Sequence, residues 1–340
     1  MFSPKAAAMP TITQPTYAAT RAQLHRLLDA GLAYSATYRG ALSNHLPMAQ
    51  QALLELGASA ERLQAWTEAH ETMLEPQTGG RPGPIEPARD LGRPDRDAAW
   101  RAHAEQRIAA VGAGPALREA LPLLMPGVGA AAFHGLIRTA HGVLAGHDRE
   151  LAAGLAHWAA CALLLPVQEG APRLALPDWL AALATLPRPD GARGGLIFDR
   201  MRAWAGTPGF AEIAPGLADT PEMLRELALL AARTYAATGN FTVLHLLTAS
   251  HAMQVLSPWW PDERLPRSFI VAAAAALLAS GAAPALALDH PPSRPWPALI
   301  AAACAQDDDH VIKLTHAAWR LGRVWPDPAW RRAVERAIPF

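Results

Sequence analysis

An all-α fold is predicted for this chain, and three observations predict it. Apolar residues recur at three- and four-residue spacing along most of the 340 residues. Nowhere is there a sustained valine, isoleucine or aromatic alternation of period two, so strand signals are scarce. Several periodic runs are also preceded by helix-start residues: Ser59 before Ala60 and Glu61, Asp219-Thr220-Pro221-Glu222, and the aspartates Asp307, Asp308 and Asp309 before His310. Those three carboxylates complement the positive end of the helix that follows them.

Taken in order, the periodic runs place helices near 21–31, 41–56, 60–74, 95–110, 115–124, 128–145, 148–165, 177–186, 196–205, 221–238, 240–256, 263–281, 296–304 and 308–322. The longest break, 75–94, is dense in glycine and proline and is expected to be a mobile surface loop; a second break spans 166–177. Composition does not change across either break. The expectation is one large multi-helix domain over 19–340 behind a disordered leader, 1–18. No internal repeat of useful fidelity is visible.

Composition narrows the function classes. Lysine plus arginine and aspartate plus glutamate each number 30, so the chain lacks the basic excess of a nucleic-acid binder or a cationic membrane-surface protein. Half of the residues are hydrophobic (51%), enough for a substantial core. Cys161 and Cys304 lie in apolar, alanine-rich stretches and are too few for a disulfide framework; both are expected to be small buried hydrophobes. The amino terminus does not read as a secretory signal. The uncharged stretch 269–288 is long enough to cross a bilayer, but its alanines, with Ser280, Gly281 and Pro284, fit a buried core helix and its exit loop better. A soluble, cytoplasmic protein is expected, with no nucleic-acid or membrane partner.

Lys313 is the only lysine beyond position 5. Nearly every other cation is arginine, and a merely solvated cation could be either. Lysine, unlike arginine, can lose its proton at reachable pH. A neutral amine can then take up carbon dioxide and become a carbamate, an anionic oxygen ligand. His310 and His316 flank Lys313 at three residues on each side, and His310 shares its helix face.

The 13 histidines fall into two groups. His25, His70, His103, His147 and His290 lie among charges, prolines or loop residues and are expected to be solvated or capping. His45, His134 and His245 are embedded in apolar helices, where an unpartnered imidazole is expensive to bury. Hydrogen-bonded core histidines are the bland explanation for each one alone. Three on different helices, with His310 beside Lys313, point instead to a shared metal centre, because helix bundles build such sites from inward side chains. Imidazoles with one carbamate oxygen favour iron, as Fe(II)/Fe(III), over zinc, manganese or copper. No Glu-x-x-His pair marks a ferritin-like di-iron site. His141 shares a face with His134, and His251 lies near that of His245; His141 and His251 are candidate proton carriers, with His157 and His316 as neighbouring groups or substrate contacts.

Several motif-like strings carry little. Gly127-Val128-Gly129 imitates a dinucleotide fingerprint, but the supposed strand before it contains Pro122 and Pro126, and close helix packing explains the glycines better. His147-Asp148 lacks the context of a metal phosphohydrolase. Of the tryptophans clustered toward the carboxyl end, Trp259, Trp260, Trp296, Trp319, Trp325 and Trp330, most are expected in the core or in helix packing, with one or two free to stack on a flat aromatic substrate.

Four stretches carry a family resemblance: 42–59 (LSNHLPMAQQALLELGAS), 132–143 (AFHGLIRTAHGV), 241–253 (FTVLHLLTASHAM) and 307–317 (DDDHVIKLTHA). At these segments the chain resembles the questin oxidase-like family, whose elements occur in the same order. The resemblance implies an all-α oxygenase that opens the central ring of anthraquinone-like polyketides with O2. It implies a non-haem iron held by His45, His134, His245 and His310 with Lys313 as the carboxylated ligand, in a buried metal or active-site cavity. NADPH is a possible reductant, with no sequence site to bind it. The chain departs from the anthraquinone-cleaving branch at Pro47 and Met48, and at Arg138, where that branch tends to carry histidines; this bears on the substrate more than on the metal. The competing expectations are a metal-independent, NADPH-dependent Baeyer–Villiger-type oxygenase and a non-catalytic helical protein with core histidines.

Overall fold

Helices account for 67% of the protein, and its only strands are a two-residue pair, in a computed structural model that describes residues 14–338 apart from 81–82, 169, 171–172 and 263. The helices run α1 (Gln14–Gly31), α2 (Leu46–Leu56), α3 (Ala60–Glu71), α4 (Pro87–Asp90), α5 (Asp97–Val111), α6 (Ala113–Leu124), α7 (His134–Ala145), α8 (Asp148–Ala160), α9 (Leu176–Ala184), α10 (Ile197–Ala205), α11 (Phe210–Ile213), α12 (Met223–Thr238), α13 (Phe241–Leu256), α14 (Arg267–Ser280), α15 (Trp296–Cys304), α16 (Asp309–Val324) and α17 (Ala329–Ala337). The all-α single-domain expectation holds, and each expected helix has a counterpart.

The differences have local causes. The expected helix from 41 begins at Leu46, because 42–43 form a hairpin in which Thr37 faces Ser43 and Tyr38 faces Leu42. The expected helix from 128 begins at His134, after Ala131, Ala132 and Phe133 take φ of 44°, 58° and 70°. Three successive non-glycine residues in the left-handed region are uncommon, and periodicity does not reveal them. Helix α12 starts at Met223 without a side-chain cap, not at Pro221, whereas Ser59 and Asp308 cap α3 and α16 as expected. Helix α1 begins at Gln14, inside the expected leader; residues 1–13 lie outside those described. The expected loop 75–94 contains α4 and is tied down by buried Asp90, whose carboxylate pairs with Arg96 at 3.1 Å. Helix α17 was not anticipated, although Trp330, Ala333 and Val334 form one buried stripe on it.

The core is continuous and rich in alanine. Small residues let helices approach closely. A Cβ on Gly135 of α7 would lie 2.4 Å from Trp158 Cα of α8, and one on Gly154 of α8 would lie 2.8 Å from Thr139 Cα. Gly127 packs the same way on Ala162, which accounts for the dinucleotide-like string. Helix α14, the uncharged stretch, is buried along nearly its whole length, and no described helix is long and apolar enough to cross a membrane. Cys161 and Cys304 are unpaired and partly exposed, not fully buried as expected; they sit where helices α8 and α15 end.

What positions the site is a ring of four helices. Helix α2 packs on α7, α7 on α13, α13 on α16, and α16 back on α2. Each of these four carries or is capped by one of the embedded histidines.

Candidate metal centre

His45 caps the start of α2, His134 opens α7, His245 lies one turn into α13, and His310 lies in the first turn of α16. The four rings meet at one end of the helix ring. Ring centres are 4.5 Å apart for His45 and His134, 4.7 Å for His45 and His310, 4.9 Å for His134 and His245, and 5.6 Å for His245 and His310. Lys313 is buried one turn below His310, its Nζ 3.5 Å from Asp309 Oδ1. The four imidazoles are therefore neighbours and Lys313 lies beside Asp309, while among the described residues the histidine and carboxylate donor atoms that all fall within 4.8 Å of one another are those of His45, Asp309 and His310. The imidazoles pack on one another, and this packing does not confirm the expected cavity.

Each of the four rings donates its Nδ1 proton to an oxygen. His134 Nδ1 donates to the Ala131 carbonyl at 2.5 Å, and His245 Nδ1 to the Phe241 carbonyl at 2.8 Å. The first of these depends on the left-handed turn at 131–133. His45 Nδ1 and His310 Nδ1 both reach Asp309 Oδ1 at 2.8 Å. A carbonyl only accepts, so Nδ1 must hold the proton in His134 and His245 and, in the neutral ring, Nε2 is a bare lone pair. The same follows for His45 and His310 beside an ionised carboxylate. His310 Nε2 is buried with no hydrogen-bond partner. Orientation of imidazoles by carboxylates and carbonyls through the far nitrogen is the arrangement that metal-binding histidines use.

In the sequence Asp309 reads as a helix-start residue and a helix-dipole charge. His45, Asp309 and His310 present donor atoms all within 4.8 Å of one another. The 2.8 Å spacings are hydrogen-bond lengths, so Asp309 acts here as the acceptor that orients two imidazoles. The signal that could have found it is its place one residue before His310 and four before Lys313.

The electrostatics favour neutral rings. Burial, reinforced by the Lys313 charge, pushes His45 down to about 4 despite its bond to Asp309. Burial and neighbouring imidazoles hold His134 and His245 well below the ordinary histidine range. His310 differs: burial and Lys313 oppose its protonation, but its bonds to Asp308 and Asp309 outweigh them and raise it. Burial lowers Lys313, while Asp309 works against that shift.

His141 and His251 are not part of this cluster. They lie with His316 in a second, deeper one on the same helices, ring centres 5.2 to 6.3 Å apart. Burial and mutual repulsion hold His141 and His251 far below neutrality. His157 lies on α8, in neither cluster. His147, expected to be solvated or capping, is buried and caps α8, accepting a hydrogen bond from Glu150 N. Arg138 is buried in a two-bond ion pair with Glu150 at 2.6 and 2.9 Å.

A helical protein with imidazoles from four helices at one end of its core is the class that the fold and site define. Comparison with protein families agrees with the resemblance: the questin oxidase-like family model matches residues 192–318. That span contains His245, His251, His310, Lys313 and His316, and two of the four resembling stretches; His45 and His134 lie outside it. The chain is similar to that family over a little more than a third of its length. No curated protein matches.

Proposed function

We propose that this protein is a non-haem iron oxygenase that uses O2 to oxidise or open a ring of an anthraquinone-like aromatic polyketide. Similarity to the questin oxidase-like family supports an oxidase acting on a small molecule. The observation that carries the metal is the pairing of His45 Nε2 with His134 Nε2 at 2.7 Å, although both rings donate Nδ1–H elsewhere. Two bare lone pairs at that distance repel unless a cation or an added proton lies at them. With burial opposing the proton, the donor set fits a metal ion.

His45, His134, His245 and His310 would hold the ion, and Lys313 as a carbamate would add an anionic oxygen. Iron there would supply one-electron chemistry with O2 and stabilise developing negative charge on oxygen. The chain's own groups do the rest. Asp309 and the carbonyls of Ala131 and Phe241 hold the four rings in one tautomer. To form the carbamate, the neutral Lys313 amine bonds to the carbon of CO2 and releases its proton to solvent. Phe241 is 52% exposed, and its ring lies 4.7 Å from those of His245 and His310. It gives a flat aromatic substrate a surface to stack on beside the imidazoles.

The test is metal content and oxygen consumption with a hydroxyanthraquinone, before and after chelation and after adding iron(II). Loss on chelation and recovery with iron support the proposal. Full turnover with NADPH after rigorous chelation would favour the metal-independent oxygenase. Metal-free protein that consumes no oxygen would favour a helical protein with core histidines.

A further inference from the structure

The second histidine cluster has no task in the proposed chemistry. It repeats the first about 9–10.5 Å further along three of the same four helices, at 1.5 Å per residue. His141 follows His134 by seven residues, His251 follows His245 by six, and His316 follows His310 by six. All three are buried, with no more than 4% exposure. Helix α2 contributes Gln51 and Glu55 instead of a fourth imidazole.

The hydrogen bonds at this level also leave bare nitrogens. His316 Nε2 donates to Glu55 Oε2 at 2.9 Å, and Arg320 holds the same oxygen at 2.7 Å. That leaves His316 Nδ1 as a lone pair, buried and without a partner. His141 Nδ1 donates to Gln51 Oε1 at 2.6 Å, which leaves its Nε2 as an acceptor in the neutral ring. His251 Nε2 is likewise buried with no partner. Three imidazoles on three helices thus lack enough donors among themselves, and a carboxylate orients one of them as it would a metal ligand.

From this geometry we infer that His141, His251 and His316 form a second metal site, distinct from the first, for a divalent ion of the imidazole-favouring class, zinc foremost. Three imidazoles around a tetrahedral ion, with Zn–N near 2.0–2.1 Å, set ring centres about 5 Å apart. Two of the separations are 5.2 and 5.3 Å; the third, His141 to His251, is 6.3 Å, and the three donor nitrogens do not all lie within 4.8 Å of one another, so the rings have to close by about 1 Å or more on binding. The fourth position is left to water. Glu55 offsets part of the ion's charge through His316 and lies in the site's wall with Arg320.

The experiment is metal stoichiometry, by elemental analysis, on folded apo-protein titrated with zinc, for wild type, His316→Gln, Glu55→Gln and His134→Gln. Two equivalents in wild type, one in His316→Gln, and an inner equivalent weakened roughly 10- to 100-fold in Glu55→Gln support the site. Glu55→Gln keeps the test usable if His316→Gln does not fold. One equivalent in wild type, lost in His134→Gln and unchanged in affinity in Glu55→Gln, overturns the inner site and leaves the proposed oxygenase centre standing. One equivalent retained in His134→Gln and weakened in Glu55→Gln supports the inner site and overturns the outer one. No bound zinc at all overturns the inner site, and the deep histidines are then a water-linked polar cluster.

Discussion

His45 Nε2 and His134 Nε2 face each other at 2.7 Å from the start of two different helices, and the rings stack at 18°. Neither nitrogen has a proton of its own when both rings are neutral. As neutral rings they make a poor hydrogen bond, and on one ion, at metal–nitrogen lengths near 2.1 Å, they would sit about 3 Å or a little more apart, slightly wider than here. Its consequences extend to stability. A metal bound at 100 times its Kd stabilises the folded state by about 2.7 kcal/mol. Chelation is therefore expected to lower the Tm by about 5 °C, at roughly 2 °C per kcal/mol for a chain of this size. His134→Gln should begin at the lower Tm and ignore the chelator. Calorimetry of the two proteins with and without chelator checks this; equal curves for wild type would remove the metal from the folded state.

Lys313 sits between two demands. Burial favours its neutral amine, and Asp309 at 3.5 Å favours the ammonium. If the carbamate is formed, iron content should rise with added bicarbonate, and a carbamate carbon should appear by NMR with labelled CO2. Lys313→Arg cannot form it and should retain less than a tenth of the iron. Stoichiometric iron in Lys313→Arg would sink the carbamate while leaving the four imidazoles in place.

Gly135 lets α7 lie directly on α8. An added methyl meets Trp158 backbone at 2.4 Å, and neither helix can yield cheaply. Gly135→Ala is expected to cost about 1–3 kcal/mol or more by overpacking and to displace the adjoining His134. Urea denaturation gives the first effect. Metal affinity gives the second, which Gly79→Ala, at an exposed position with nothing within 4 Å, should not share.

His157 is buried as the neutral ring, and burial together with the Arg138 charge pushes it down to about 3. Between about pH 6.5 and 3 the unfolded chain binds a proton that the folded chain refuses, so stability is full above that window and falls as pH drops. One such group contributes a slope of up to about 1.4 kcal/mol per pH unit. In His157→Phe the acid limb of the stability profile should be shallower by that amount. An unchanged slope would mean that His157 finds a route to water.

How much was legible in advance varied with the kind of residue. His45, His134 and His245 stood out because a polar ring in an apolar run needs a partner, and Lys313 because arginine would have served a solvated role. Asp309 was misjudged, since a carboxylate at a helix start already has a local explanation. Glu55 and Gln51 gave no signal: each looks like an ordinary polar residue of an amphipathic helix until His316 and His141 are seen opposite.

By itself the sequence determined most of the helices, because apolar periodicity and capping are local along the chain, and it singled out the residues too costly to bury without a reason. Only the tertiary structure decided that α2, α7, α13 and α16 close into a ring, that the histidines divide into two levels, and which nitrogen of each ring is protonated. Those depend on partners distant along the chain, as in the bond from His45 to Asp309, 264 residues away. Spacing along one helix assigns a side chain to a face; it does not say which helix that face meets.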